Sequence, residues 1–342
     1  MPSASRIDLF STCPQSKDFA QADYVTQMRR VSQWSEAAGC TGMLIYTDNS
    51  IVDPWLVAQC VLQETRELCP LVAVQPVYML PYTAAKMVAS LGAMHQRRIW
   101  LNMLAGGFRN DLLALGDETP HDDRYTRTVE YALLMRQLLE SDQPVTLAGR
   151  YYSVRGVRMA PALPRELWPG WLISGSSPAG RAAAVQMGAV AVEYPTPPDV
   201  VRDTADVPAG RGIRVGIIAR DDAEAAWQAA YQRFPDDRRG RLSHALAMKT
   251  SDSAWHRTLS DLAHTGATNG SPYWLWPFEQ HRTFCPYLVG EYATVAAEIA
   301  RYLALGYSTF ILDIPLAAED LETAAIVFRM AEEKLAAPVP AQ

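Results

Sequence analysis

The chain has 342 residues, with 31 Lys and Arg against 37 Asp and Glu, a formal net charge of −6 and a hydrophobic content of 49%. This composition is typical of a folded globular protein and excludes wholesale disorder, collagen-like repeats and a continuous coiled coil. The acidic balance argues against a nucleic-acid partner, because a phosphate-binding surface needs an excess of basic side chains. A single (β/α)8 barrel reaches this length, so one domain over residues 1–342 is expected.

The cysteine content and the hydropathy of the sequence indicate in which cellular compartment the protein is expected. The five cysteines form no C-x-x-C pair, and the first residues carry no secretory leader pattern, so reduced thiols in the cytoplasm are expected. No apolar run reaches the ~18 residues of a membrane-spanning helix, and no membrane contact is predicted. The six histidines show neither an H-E-x-x-H motif nor another paired spacing, so no metal site is predicted.

Short β-rich runs alternate along the chain with segments of helical periodicity, which indicates repeated βα units and a parallel sheet. Eight runs have the composition of buried strands: 6–11, 42–46, 71–75, 99–104, 171–174, 189–193, 213–219 and 309–313. Helices are predicted at 20–38, from 53, at 82–94, 119–140, 177–187 and 223–232, and from about 319. Eight such units predict an α/β protein with a single (β/α)8 TIM barrel.

Two segments interrupt this rhythm. Residues near 145–155, with Gly149 in the middle, are predicted to form a hairpin. A larger insertion near 235–290 is rich in aromatic residues. It is either a lid over a functional site or a scaffold or dimer element.

Functional side chains of a (β/α)8 barrel lie at the carboxyl ends of its strands and in the loops that follow them. Polar residues at these positions are the candidates, and they are Tyr46, Thr47, Asp48, Asn49, Gln75, Asn102 and the run from Ser174 to Ser177. Gly175-Ser176-Ser177 follows an apolar strand and opens a helix, where a glycine and free N–H groups favour an anion such as phosphate. The same three residues also suit a plain turn glycine with an N-cap serine.

The helix after the fourth strand supplies two further candidates. It is expected to begin with Thr119 as N-cap and Pro120 at the first helical position. His121 and Tyr125 are four residues apart and share one helix face, so together they offer two hydrogen-bond donors to a phosphate or a flat ring. The alternative is an ordinary helix start with a packed tyrosine.

Five short motifs follow one another along the chain in an order that is informative about the family. They are L-N-M-L-A-G-G at 101–107, H-x-x-R-Y at 121–125, a hairpin with two tyrosines at 151–152, G-S-S at 175–177 and G-Y-S-T-F at 306–310. In order and spacing they resemble those of the bacterial luciferase-like, flavin-dependent monooxygenases, nearest to the alkanesulfonate monooxygenase branch. The similarity extends from residue 6 to about residue 330.

The resemblance implies a two-component monooxygenase that uses O₂ and reduced FMN, through a C4a-peroxyflavin, with a separate flavin reductase as partner. It implies a homo-oligomer, since members are often dimers or tetramers. Carried over, the FMN phosphate contacts are Tyr125, Ser176 and Ser177, with Gly175 beside them and His121 nearby. The flavin ring would lie against Asn102, Gln75, and Tyr46 or Thr47, and Arg214 is the predicted catalytic residue that stabilises negative charge.

Four departures from the alkanesulfonate enzymes concern the substrate. This sequence has Ile51 where those enzymes have a cysteine, Gly216 where they have a histidine, and Ala105 where a threonine is frequent. Their Tyr-Pro-His after the eighth strand reads Ile-Pro-Leu at 314–316. Binding of a sulfonate needs strong donors, so the substrate is not expected to be a small alkanesulfonate. A larger, more apolar biosynthetic intermediate, free or tethered to a carrier protein, fits the aromatic insertion better.

Two other functions stay open at this point. One is a deazaflavin-dependent oxidoreductase on the same barrel. The other is a non-catalytic flavin-binding relative, which the loss of family catalytic residues would explain.

Overall fold

The computed structural model describes residues 7–107, 109–201, 209–237, 259–260, 262 and 271–336. Its strands are β1 (Asp8–Thr12), β2 (Gly42–Ile45), β3 (Cys69–Val74), β4 (Trp100–Met103), β5 (Val145–Ala148), β6 (Ser153–Val157), β7 (Gly170–Ser174), β8 (Val190–Glu193), β9 (Arg211–Arg220), β10 (Tyr273–Trp274), β11 (Tyr287–Glu291) and β12 (Tyr307–Leu312). Its helices are α1 (Gln21–Ala37), α2 (Pro54–Glu64), α3 (Pro81–His95), α4 (Arg109–Ala114), α5 (His121–Glu140), α6 (Pro178–Met187), α7 (Ala223–Arg233), α8 (Trp276–Glu279), α9 (Tyr292–Ala304) and α10 (Ala318–Ala336). None of these helices has both the length and the apolar character needed to cross a membrane.

Eight parallel strands close into a barrel. The ring runs β1-β2-β3-β4-β7-β8-β9-β12 and returns to β1, so that Phe10 of β1 lies opposite Gly42 on one side and Ile311 on the other. The eight strands predicted from the sequence are the eight strands of this ring. The predicted (β/α)8 barrel is therefore confirmed.

Side chains fill the lower part of the barrel. Alternate residues of the strands point inward and form one cluster: Phe10, Leu44, Leu71, Leu172, Val192 and Ile311. At the amino-terminal end the Trp100 indole packs edge-on against Phe10 with ring centroids 5.3 Å apart. A Cβ on Gly170 would overlap that indole, so glycine is required there. Because this interior is packed, a ligand must bind at the carboxyl end of the strands.

The insertions differ in how they join the barrel. β5 and β6 pair antiparallel, which confirms the predicted hairpin. Its turn is held by one Glu130 carboxylate, which accepts hydrogen bonds from the amides of Arg150, Tyr151 and Tyr152 at 2.7–2.9 Å. The turn therefore lies against α5.

The described end of the predicted insertion is part of the sheet. β11 pairs in parallel with the upper half of β9, from Tyr287 opposite Gly216 to Glu291 opposite Arg220. Helix α9 follows and was not predicted. The stretches 238–258 and 263–270 of the insertion, and residue 261, lie outside the described residues, so the choice between lid and scaffold stays a prediction.

The predicted N-cap at Thr119 is wrong. Pro120 directly precedes α5, and no side chain caps this helix. The Thr119 hydroxyl instead donates to Asp117 Oδ1 at 2.6 Å, and Arg127 donates to the other oxygen at 2.5 Å. Burial raises the pKa of Asp117, but these hydrogen bonds outweigh it and lower the pKa to about 2. The carboxylate thus fixes the loop that leads into α5.

Asp117→Asn is expected to lower the free energy of unfolding at pH 7 by about 2 kcal/mol, because an ionised hydrogen-bonded carboxylate is lost. The folded pKa lies below the unfolded value of about 3.9, so the contribution is present above that value and is lost as pH falls towards 2. Urea unfolding from pH 2 to 7 tests this. The exposed Asp142, changed to Asn, is the control. A stability difference independent of pH would contradict the assignment.

Candidate active site

A cavity of about 240 Å³ opens at the carboxyl ends of the barrel strands. All ten residues assigned to the cofactor or to catalysis line it: Tyr46, Thr47, Gln75, Asn102, His121, Tyr125, Gly175, Ser176, Ser177 and Arg214. They come from β2, β3, β4, β7 and β9, the loops after them, and the first turn of α5. Of the other strand-end candidates, Asp48 and Ser174 also line the cavity, whereas Asn49 does not. The strand-end rule, the shared face of α5 and the family resemblance, which supplied Arg214, thus pointed to residues of one cavity that lie up to 168 positions apart in the chain.

One end of the cavity is built where α5 meets the turn before α6. The Tyr125 hydroxyl is hydrogen-bonded to Ser177. It also lies so close to Gly175 that a Cβ on this glycine would overlap it. Burial raises the pKa of Tyr125, although the Ser177 hydrogen bond lowers it, so the phenol is neutral and can donate at pH 7. Glycine is therefore required at 175 because of a close approach.

Ser177 caps helix α6 in addition to lining the cavity. Its hydroxyl accepts a hydrogen bond from the Gly180 amide at 3.1 Å and caps α6. The N-cap alternative from the sequence is thus confirmed for this side chain. Ser176 also lines the cavity, and its carbonyl accepts from Arg181 Nη1 at 2.8 Å. Of the two serines, Ser176 is the one whose hydroxyl has no capping role.

The same end carries positive charge. Arg124 is 4% exposed and lines the cavity beside Tyr125. His121 stacks edge-on to Tyr125 with ring centroids 5.2 Å apart, and its Nδ1 lies 2.7 Å from Asp122 Oδ1. Phenol, hydroxyl and guanidinium together suit a phosphate. Arg124 was not among the predicted site residues, although it is the arginine of the H-x-x-R-Y motif.

The other end offers hydrogen-bonding groups suited to a flat polar ring. Asn102 is 4% exposed, and its Oδ1 accepts from the Ser174 hydroxyl at 2.9 Å. That bond fixes the amide and leaves its Nδ2 as a donor. Gln75, on the neighbouring strand end, contributes a second amide to the wall.

Arg214 and Tyr46 form a stacked pair on the cavity wall. The guanidinium carbon lies 4.9 Å from the centroid of the Tyr46 ring. Both Arg214 Nε and the Tyr46 hydroxyl are buried with no hydrogen-bond partner among the described residues. Buried polar atoms without partners are rare and costly, so two of them side by side indicate the place of a polar ligand.

A buried carboxylate holds Arg214 from behind. Asp313 Oδ1 accepts from Arg214 Nη2 at 3.2 Å, and its Oδ2 accepts from Thr283 at 2.5 Å and Tyr287 at 2.8 Å. Burial raises the pKa of Asp313, but Arg214 and these hydrogen bonds outweigh it and the pKa is lowered. Asp313 is ionised, which keeps the guanidinium oriented.

The positions at which the sequence departs from the alkanesulfonate enzymes fall in different places. Ala105 lines the cavity, whereas Leu316 is exposed. Ile51 lines a neighbouring cavity instead. At Gly216 a Cβ would overlap the Tyr287 ring, so no histidine side chain has room there.

Several lining residues were missed by the sequence analysis: Gln15, Lys17, Glu193, Tyr194 and Phe284. Gln15 and Lys17 follow β1, so the strand-end rule could have found them. Phe284 comes from the predicted insertion. Its position depends on the pairing of β11 with β9, and no local sequence pattern predicts that pairing. Within the described residues, no group of three or more His, Cys, Asp or Glu is arranged to hold a metal ion.

Comparison with known sequences gives two matches over most of the chain. The profile of the luciferase-like monooxygenases matches residues 7–309. The 4-(gamma-L-glutamylamino)butanoyl-[BtrI acyl-carrier protein] monooxygenase BtrO of Niallia circulans is 34% identical over 324 residues, which are 93% of each chain.

Comparison with solved structures shows the fold. DmoA from Hyphomicrobium sulfonivorans has a TM-score of 0.75 at 17% identity, with 97% of this chain and 89% of that chain covered. EDTA monooxygenase EmoA from Chelativorans sp. BNC1 has a TM-score of 0.73 at 14% identity, with 96% and 94% covered. An F420-dependent secondary alcohol dehydrogenase has a TM-score of 0.65 at 17% identity, with 95% and 99% covered.

Gly175→Ala is expected to lower the free energy of unfolding by about 1–3 kcal/mol, because the new methyl group displaces the Tyr125 hydroxyl. Tyr125→Phe removes the oxygen that would be displaced, so the cost of the alanine should be smaller in that background. A double-mutant cycle of urea unfolding measures the difference. An equal cost in both backgrounds would show that the close approach does not constrain residue 175.

Proposed function

The chain belongs to the luciferase-like monooxygenase family and is a flavin-dependent monooxygenase, and from that premise we propose that it uses reduced FMN, delivered by a separate flavin reductase, to oxygenate an acyl group tethered to a carrier protein. The observation that carries the proposal is one cavity whose two ends differ in chemistry. One end suits a phosphate and the other a hydrogen-bonding ring.

The described residues fit FMN at both ends. Tyr125, Ser176 and the buried Arg124 would hold the phosphate, with His121 at its edge. The Asn102 Nδ2 donor and the Gln75 amide would hold the polar edge of the ring. The buried Tyr46 hydroxyl and Arg214 Nε have no partners of their own among the described residues, which supports a ligand beside them.

The bound flavin would supply the electrons with which O₂ delivers one oxygen atom to the substrate and the other to water. The chain's own part is to bind, orient and exclude water. Arg214 contributes a fixed positive charge at the cavity wall, where it can stabilise negative charge that develops during oxygen transfer. Asp313 keeps this guanidinium in one orientation before any ligand arrives.

The substrate class is supported by two observations. According to its name, the 34% identical relative acts on an acyl group bound to an acyl-carrier protein. The match covers nearly the whole length of both chains. The space at Gly216, where alkanesulfonate enzymes have a histidine, is taken by Tyr287. A thioester-bound acyl chain therefore suits this chain better than a small sulfonate.

Tyr125→Phe combined with Ser176→Ala is expected to weaken FMN binding by about 1–3 kcal/mol, or roughly 5–150-fold, because two hydrogen bonds to a charged group are lost. Titration of FMN fluorescence measures this. Tyr151→Phe is the matched control, since that hydroxyl donates to Asp123 outside the cavity. Unchanged affinity in the double variant would count against a phosphate at this end, and tighter binding of F420 than of FMN would favour the deazaflavin alternative.

Arg214→Gln is expected to lower the rate of substrate oxygenation, measured at saturating reduced FMN, by about 10²–10³, the usual effect of losing a charge-stabilising donor. Arg214→Lys keeps the charge beside Asp313 and should lose less. Product formation and O₂ consumption are followed together with a flavin reductase present. If both variants oxygenate substrate at the wild-type rate, the role of Arg214 is wrong.

A further inference from the structure

A second cavity of about 240 Å³ lies beside the first, between the loops that follow β2 and β3. Its outer wall is largely apolar and is made by Ile51, Pro54, Trp55, Val74 and Met79. The two cavities share the wall formed by Thr47, Asp48, Ala73 and Gln75. The second cavity thus adjoins the ring end of the proposed flavin site, and the proposed cofactor contacts leave its outer wall unused.

Gln75 on the shared wall carries a side-chain amide that a ligand in either cavity can reach. The residue is 8% exposed and lines both cavities. Neither of its amide atoms is among the fully buried polar atoms without a partner, so the amide is open to the cavity space. It can therefore bond to a flavin edge on one side or to a polar group in the second cavity.

The second cavity has a negative electrostatic character. Asp48 and Asp53 line it, and among the described residues no Lys, Arg or His lines it. Asp53 is engaged in capping α2. The Asp48 Oδ1 atom accepts from Ser50. Within the part of the chain that the structure describes, Oδ2 pairs with the ammonium of Lys17 at 3.7 Å, on a side chain that is 44% exposed.

The pKa values of neighbouring groups also show the effect of these negative charges. Burial first, and then the charges of Asp111 and Asp48, raise the pKa of Tyr78 to about 12. Burial and the charge of Asp48 also raise the pKa of Asp111, although the charge of Lys17 opposes this. Burial disfavours a charge of either sign, but the carboxylates of Asp48 and Asp53 on the cavity wall would repel a carboxylate or sulfonate and attract an ammonium group.

Resting on the proposed function, we propose that the second cavity receives the distal end of the acyl chain and selects a chain that ends in an ammonium group. Asp48 provides the counter-charge, the apolar wall contacts the methylene groups, and Gln75 hydrogen-bonds the nitrogen end across the shared wall. The substrate class is therefore an ω-aminoacyl thioester.

The first test is equilibrium binding to the protein loaded with oxidised FMN, so that no turnover is needed. The probes are the pantetheine thioesters of 6-aminohexanoate, heptanoate and heptanedioate, which have an ammonium, a methyl or a carboxylate end. Their chains are too long for the amine to release the thiol by closing a five-membered lactam. We expect the amine to bind at least about tenfold tighter than the methyl analogue, because its ammonium group forms a hydrogen-bonded charge pair with Asp48. The carboxylate should bind most weakly, because Asp48 repels it. Equal binding of the three would overturn the proposal.

The second test assigns the selectivity to this cavity. Asp48→Asn keeps the oxygen that accepts from Ser50, so the loop is preserved, and the ratio between amine and methyl analogue should fall to about one. Asp142→Asn, which removes an exposed charge elsewhere, should leave that ratio unchanged. Ile51→Phe fills the cavity and should weaken binding of the 6-aminohexanoyl thioester more than that of the acetyl thioester. If Asp48→Asn weakens all three probes equally, the assignment is wrong.

These measurements separate the two proposals. Selective binding without oxygenation would leave the ammonium site standing and overturn the proposed function. Oxygenation of the amine and the carboxylate thioesters with equal kcat/KM would leave the proposed function standing and overturn the ammonium site.

Discussion

The contact between the Tyr125 hydroxyl and the backbone of Gly175 is the constraint on which the candidate site depends. It brings the first turn of α5 against the turn before α6, although these segments lie some 50 residues apart in the chain. Ser177 completes the junction, because its hydroxyl bonds to Tyr125 and caps α6 at the same time. Donors from two helix starts thereby converge on one point, which is the arrangement that a phosphate requires.

Charge is distributed unevenly around the two cavities. The end near α5 and α6 carries the buried Arg124, and the wall near β9 carries Arg214. The cavity between the β2 and β3 loops instead carries the carboxylates of Asp48 and Asp53. A ligand set with an anionic cofactor tail on one side and a cationic substrate end on the other matches this distribution, since each charge then meets its opposite.

The region above β9 shows how one barrel can serve a different substrate. Tyr287 lies over Gly216, and its hydroxyl joins Thr283 and Arg214 on the Asp313 carboxylate. Two of these groups come from the segment that the sequence analysis treated as an insertion. The described end of the insertion thus contributes to the site, because it helps to hold an arginine of the cavity wall.

The sequence by itself predicted the eight barrel strands and most of the residues that line the cavity. The strands and the strand-end residues follow from local patterns, since an apolar run marks a strand and its carboxyl end marks the functional face. His121 and Tyr125 follow from helical spacing, and Arg214 was implied by the family resemblance alone. Only the tertiary structure decided that Tyr287 occupies the space at Gly216 and that Arg214, Thr283 and Tyr287 meet at the Asp313 carboxylate. These outcomes depend on the pairing of β11 with β9, whose partners are about 70 residues apart. A contact of that kind is set by how the whole chain packs, and no short window of sequence contains both of its sides.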